Sequence, residues 1–212
     1  MTNLIQTLIS GLSLGSIYAL IALGYTMVYG IAKMLNFAHG DVIMVGAYSG
    51  IVAVAQLGLS PWVTVIVSIV VCAVLGVVIE FCAYKPLRQA APLSVLITAI
   101  GVSYLLQNAA LLLFGSQQMA YPTLVKLGSF SLGGVQVDGI TVLTLAVTAV
   151  LMAALTLFID KTKLGKAMRA VSEDKDAATL MGISVDRTIT LTFAIGSALA
   201  AFASMFYGMT YV

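Results

Sequence analysis

The chain has 212 residues, 61% of them hydrophobic, and carries ten Lys/Arg against eight Asp/Glu for a net charge of +2. Charged residues make up 8% of the chain, against about 25% in a soluble domain, and a soluble fold of this size has too little interior to hide so much apolar surface. This excludes a cytosolic globular domain, a disordered chain and a disulfide scaffold, and so small a positive charge gives nucleic acid no electrostatic hold.

A spanning helix needs about 20 mostly apolar residues. Six stretches meet or approach this, at about 4–29, 41–57, 61–84, 94–114, 140–159 and 188–211, the second being the shortest. None alternates with the period of two of a membrane barrel strand. The expected fold is therefore an all-α integral membrane protein with about six transmembrane helices in one transmembrane domain, 1–212. Cys72 and Cys82 fall in one apolar run; on one helix they stand about 15 Å apart along the axis, too far to bridge.

Helix 1 holds Gly11 and Gly15, helix 2 holds Gly46 and Gly50, and helix 6 holds Ser197 with Ala201 and Ala200 with Ser204. Small residues four apart mark close helix packing in lipid. The stretch Gly30 to Asp41 is too apolar for a solvated loop and too polar for a lipid-facing span. Asn36, His39 and Asp41 can bond backbone groups freed at a helix break, and irregular backbone at membrane depth survives where protein or a water cavity covers it. Two readings stand: a re-entrant or interfacial turn lining a pathway, through Asn36, His39 and Gly40, or a short cytoplasmic loop with Asp41 capping helix 2. Helix 4 adds Tyr104, Gln107 and Asn108, polar groups that are costly in a span unless they face partners or water. They are candidates for the same path or for helix-to-helix hydrogen bonds. Glu80, near the end of helix 3, is expected to pair with Lys85 or Arg88.

Lys33, Lys85 and Arg88, and the basic residues of 161–187, would share one side of the membrane if six helices cross it, leaving Lys126 alone opposite. Positive charge marks the cytoplasm, which places the N-terminus and Val212 outside. The segment 161–187 is long and rich in charge. Ser172 has the character of an N-cap, Glu173, Asp174 and Asp176 suit a first turn, and Gly182 suits a helix stop. A short helix from about Glu173 to Met181 follows, with Ala177, Ala178, Leu180 and Met181 on its less polar side, and Leu164, Met168 and Val171 recurring upstream at helical spacing. Such a helix can enter a groove on a soluble partner, or the segment can be a solvated loop.

No catalytic constellation is visible. Gly165-Lys166 lacks the remaining phosphate-loop residues, His39 is the single histidine, and no cofactor or metal set is present in the sequence. A membrane protein without an engine, but with a helix that can dock, implies an engine on another chain.

Gly11-Leu-Ser-Leu-Gly-Ser-Ile-Tyr-Ala-Leu20, Gly24-Tyr-Thr-Met-Val-Tyr-Gly30, Asn36-Phe-Ala-His-Gly-Asp41, Gly165-Lys-Ala-Met-Arg-Ala-Val-Ser-Glu-Asp174 and Ala177-Ala-Thr-Leu-Met-Gly-Ile183 resemble the permease subunits of branched-chain amino-acid ABC importers. The resemblance implies a bacterial plasma (inner) membrane permease for leucine, isoleucine or valine; related permeases carry urea, amides or other amino acids. It implies two ATP-binding subunits that dock on Ser172, Glu173, Asp174, Asp176, Ala177, Ala178 and Gly182. It also implies a homologous second permease and a periplasmic substrate-binding protein. The docking pattern lacks the later Leu-Pro found in ABC importers generally. Family members continue with further spans, so the apolar end at Val212 gives a further expectation, a truncated and non-transporting fragment.

Overall fold

The computed structural model describes residues 2–125, 127–132 and 135–211. Lys126 and Val212, both used in the orientation argument, lie outside the described residues. Helices dominate: α1 (Thr2–Ala32), α2 (His39–Ile51), α3 (Pro61–Ile79), α4 (Pro92–Phe114), α5 (Gly139–Lys161), α6 (Lys163–Glu173), α7 (Lys175–Leu180) and α8 (Val185–Tyr211). A π-helical turn extends α2 over Val52–Gln56, and another extends α3 over Glu80–Tyr84. Pro61 and Pro92 open α3 and α4, where a missing N–H costs nothing and the fixed φ suits a helix. An antiparallel pair, β1 (Ser129–Leu132) and β2 (Val135–Asp138), sits in the α4–α5 connection with Phe130 opposite Val137.

Among the described residues, five helices are long and apolar enough to cross a membrane: Leu4–Ala32, Pro61–Leu87, Pro92–Phe114, Gly139–Lys161 and Val185–Tyr211. The sixth expected span, 41–57, is a continuous helix over 39–56, which at 1.5 Å per residue reaches roughly 27 Å. It falls just short of the hydrocarbon thickness of about 30 Å. The β pair was not expected from the hydrophobic pattern.

α8 is the hub. Two thirds of its apolar stretch is buried (67%), against 28% for α1 and α3, 17% for α4 and 11% for α5. The cause is its small-residue surface. A Cβ on Gly24 of α1 would lie 2.7 Å from the Gly196 carbonyl oxygen, one on Gly46 of α2 2.7 Å from Ser204 Oγ, and one on Gly76 of α3 2.9 Å from the Phe193 carbonyl oxygen. Backbones brought this close gain dispersion contacts that lipid tails cannot supply. Phe193, Ile189 and Met205 fill the spaces between, with Tyr84 tilted against Phe193 at 5.2 Å. The buried Ser197, Ala200, Ala201 and Ser204 fulfil the packing expected of them, as does Gly46. Gly11 and Gly15 do not: nothing lies within 4 Å of a Cβ at either, because α1 turns that side outward. Cys72 is buried and Cys82 exposed, and both thiols are free.

This difference gives a test. Gly24→Ala forces α1 and α8 apart and is expected to lower stability by about 1–3 kcal/mol, whereas Gly11→Ala is expected to be neutral or slightly stabilising. Thermal unfolding of the two variants in detergent separates them; equal melting temperatures would contradict the packing account.

Candidate functional site

The break between α1 and α2 is partly covered by protein: Met34, Asn36 and Ala38 are buried, whereas Lys33 and Phe37 are exposed. Lys33 takes a left-handed backbone (φ 59°) that ends α1, and residues 33–36 run without regular structure before a turn at Phe37–Ala38. Tyr84 Oη donates to the Leu35 carbonyl and to Asn36 Oδ1, both at 3.1 Å. Ala38 occupies the N-cap of α2 with no side-chain cap. Asp41 therefore does not cap; it sits in the first turn, where the helix dipole favours an anion, and accepts a hydrogen bond from Gln107 Nε2 at 3.0 Å. Asn36, His39 and Asp41 are all buried, which fits a covered helix break rather than a solvated loop. His39 packs edge-on against Tyr25 at 6.1 Å, under the Gly24 backbone.

A cavity of about 730 Å³ opens between α2, α4 and α8. Gly40, Ile43, Met44 and Tyr48 line it from α2, Gln107 and Leu111 from α4, and Ser204 and Tyr207 from α8. Tyr48 stacks on Phe114 at 4.2 Å, with their planes 6° apart. Of the six path candidates, Gly40 and Gln107 meet here. Asn36, His39 and Gly40 border a smaller recess of about 370 Å³ beside α1. Tyr104 and Asn108 belong to neither cavity: Tyr104 is exposed, and Asn108 Nδ2 turns back to the Tyr104 carbonyl at 2.7 Å. Beyond the cleft, Tyr121 of the α4–α5 connection lies between Gly50 and Gly208, where a Cβ on Gly208 would meet its ring at 2.6 Å. Burial pushes the Tyr121 phenol up to about 12.

The segment between α5 and α8 folds as a jointed arm. Thr162 caps α6, accepting from Gly165 N at 3.0 Å. Gly165, Met168 and Val171 turn inward while Leu164 is exposed, so the inward stripe differs from the expected one by a residue at its start. Ser172 is not the N-cap. It lies inside α6 and donates to the Arg169 carbonyl at 2.7 Å. The cap of α7 is Asp174, whose Oδ1 accepts from Asp176 N and Ala177 N, both at 2.9 Å. α6 continues through Glu173, and Asp174 N still donates to the Ala170 carbonyl at 3.1 Å. Gly182 (φ 79°) ends the arm, with Gly182 N bonded to Thr179 O at 2.9 Å and Ile183 N to Ala178 O at 3.0 Å; such a left-handed stop suits glycine. Ala178 is buried, whereas Glu173, Asp174, Asp176, Ala177, Leu180 (88% exposed) and Met181 (82% exposed) face outward. Lys175 Nζ donates to the Ala32 carbonyl at 3.0 Å, placing a cation at the negative end of α1.

A sequence model of the branched-chain amino acid transport system permease component matches residues 7–212. The chain belongs to this permease family. It is 45% identical to the high-affinity branched-chain amino acid transport system permease protein BraD of Pseudomonas aeruginosa, over 98% of this chain and 71% of that one. It is 42% identical to LivH of Escherichia coli K12, with the same coverage. A probable branched-chain amino acid transport permease, LivH of Methanocaldococcus jannaschii, is 32% identical over 89% of this chain and 61% of that one. No solved structure gives a significant match.

The permease is thus an integral membrane subunit of an ABC importer of the inner membrane, a transport protein and not an enzyme; ATP hydrolysis belongs to separate subunits. Permeases of this family work with ATPase, substrate-binding and second permease partners. At the joint between arm and bundle, Glu80 is fully buried, accepts from Thr190 Oγ1 at 2.8 Å, and is paired with Arg88. Arg88 also bonds Asp186, and Lys85 Nζ reaches Asp186 at 3.2 Å. The expected Glu80–Arg88 pair is present, and Lys85 turns to Asp186 instead. Asp186 lies too far along the chain for spacing to reveal its part in the joint. Likewise, no local signal foretold Asp41–Gln107 or Lys175–Ala32.

Removing one partner from a buried pair strands the other charge. Arg88→Ala is expected to cost about 3–5 kcal/mol, and adding Glu80→Gln should recover part of the loss. Thermal melts of the single and double variants check this; a double variant no more stable than Arg88→Ala would refute the pairing energetics.

Proposed function

We propose that the permease passes leucine, isoleucine and valine inward, with the arm 161–187 on the cytoplasmic side and one permease domain formed by 1–212. A substrate-binding protein delivers the amino acid from outside, two ATPase subunits drive the cycle, and a homologous second permease completes the pore. The cleft between α2, α4 and α8 suits the cargo: aliphatic side chains and Tyr48 meet an aliphatic side chain, and the Gln107 amide beside Asp41 offers hydrogen bonds to the polar end. Such a site is mostly apolar with a few placed polar groups.

The observation that carries the reading is the tip of the arm. Leu180 and Met181, large and apolar, are almost wholly exposed at the end of a capped helix. That tip fits a groove on an ATPase, with Asp174, Asp176 and Ala177 on the same exposed surface and Ser172 and Glu173 leading into it. Gly182 turns the chain so that docking force passes into α8, whose Ser204 and Tyr207 line the cleft. Lys175 passes it also to the end of α1. ATP-driven movement of the arm therefore biases two arrangements of the bundle, as alternating access requires. Asn36, His39 and Gly40 at the helix break are the positions that absorb this movement on α1 and α2.

Leu180→Asp with Met181→Asp is expected to reduce ATPase co-purification at least tenfold and to abolish ATP-dependent uptake of radiolabelled leucine, with the melting temperature unchanged because both side chains face solvent. Retained co-purification would sink the docking role. Uptake of urea but not leucine by the intact importer would overturn the substrate.

A further inference from the structure

A cavity of about 350 Å³ lies where the end of α1, the segment before α4 and the arm converge. Three cations line it, each from a different segment: Lys33, Arg88 and Lys175. No carboxylate is among its lining residues. All eight acidic residues of the chain are described, yet no ion pair among the described residues involves Lys33 or Lys175. Arg88 turns its terminal nitrogens to Glu80 and Asp186, and its buried Nε has no partner. Lys175 is held below the usual lysine range, first by burial and then by the positive charges of Arg88 and Lys33. Arg88 has its counterions in Glu80 and Asp186, but Lys33 and Lys175 stand beside it with no carboxylate of their own, and two like charges gathered at a cost against a third call for an anion from outside the protein.

The other wall says what carries that anion. Tyr29, Leu87, Pro92, Val95 and Leu96 form an apolar side. It continues onto the outward face of α4, where Leu93 is 65% and Ile97 60% exposed. A free anion uses the cationic wall alone; a phospholipid uses both, its acyl chains lying along α4. We propose that this cavity binds the phosphate of an anionic phospholipid of the leaflet on the arm's side, between Lys33, Arg88 and Lys175. Basic pockets between helices at that level are suited to anionic headgroups. The bound phosphate would join the end of α1 to α7 beside the Lys175–Ala32 bond, so lipid composition would set how firmly the arm is held. The assignment to the cytoplasmic leaflet rests on the proposed orientation; the binding itself does not.

The test uses the chain purified in a zwitterionic detergent and titrated with short-chain phosphatidylglycerol, phosphatidylcholine or inorganic phosphate, bound molecules being counted by native mass spectrometry. The wild type is expected to retain phosphatidylglycerol in preference to phosphatidylcholine. Lys33→Gln with Lys175→Gln should weaken phosphatidylglycerol binding roughly 30-fold, each charge contributing about fivefold. Lys33→Gln alone changes an exposed side chain and keeps the test available if the double variant does not fold. Equal retention of the two lipids, unchanged binding by the variants, or displacement of phosphatidylglycerol by equimolar inorganic phosphate would each overturn the proposal. Transport is not read, so failure here is distinct from failure of the permease reading.

Discussion

A helix interruption covered by the bundle has to be paid for in hydrogen bonds supplied by protein, because a bilayer offers no water to satisfy a freed backbone group. The break at 33–38 shows how the constraint is met. Tyr84, from the π-helical end of α3, bonds the Leu35 carbonyl and the Asn36 side chain, while Lys175, from the arm, covers the Ala32 carbonyl. Two distant parts of the chain are thereby tied to the point where α1 gives way to α2. The break cannot open without disturbing both, and neither can move freely without loosening the break.

The same logic governs charge. Glu80 has no exposure and would be costly alone, yet it sits between Arg88 and Thr190, so its charge is stabilised at the level where the bundle ends and the arm returns. Arg88 carries this tie outward to Asp186, in the first turn of α8. The π-helical turn over Glu80–Tyr84 places both Glu80 and Tyr84 inward. One local distortion thus aims a charge at the α8 joint and a phenol at the α1–α2 break, which suits π turns to functional positions.

The helices were legible because apolar length is the strongest signal a membrane chain carries. The arm was legible in outline because capping chemistry is local: Gly182 stops it, and acidic residues open it. Ser172 and Asp174 are both good caps two residues apart, however, and the choice between them fell to tertiary packing. Met168 and Val171 are buried, so α6 persists through Ser172 and leaves Asp174 to start α7. Gly133-Gly134 between short β-prone runs is a hairpin signal, but it is local and short and carries none of the apolar length that marks a span. Side-chain pairs such as Asp41–Gln107 and Arg88–Asp186 depend on how helices sit against one another, and nothing within a single helix encodes that. Tyr104 and Asn108 show the converse. Polarity made them candidates for the path, but helical rotation set Gln107 toward α2 and turned these two away.

The uneven burial of the helices carries a last consequence. α8 is packed on several sides, whereas α4 and α5 keep most of their apolar stretch exposed. Lipid can solvate such surface at no cost, so the exposure does not weaken the fold. It does divide the bundle mechanically. α1, α2, α3 and α8 share close backbone contacts and must move as packed elements with discrete arrangements, while α4 meets α2 across a cleft and through Gln107–Asp41. The cleft therefore lies at the boundary between the closely packed group and α4. The arm leaves from α5, outside that group, and returns into α8, at its centre.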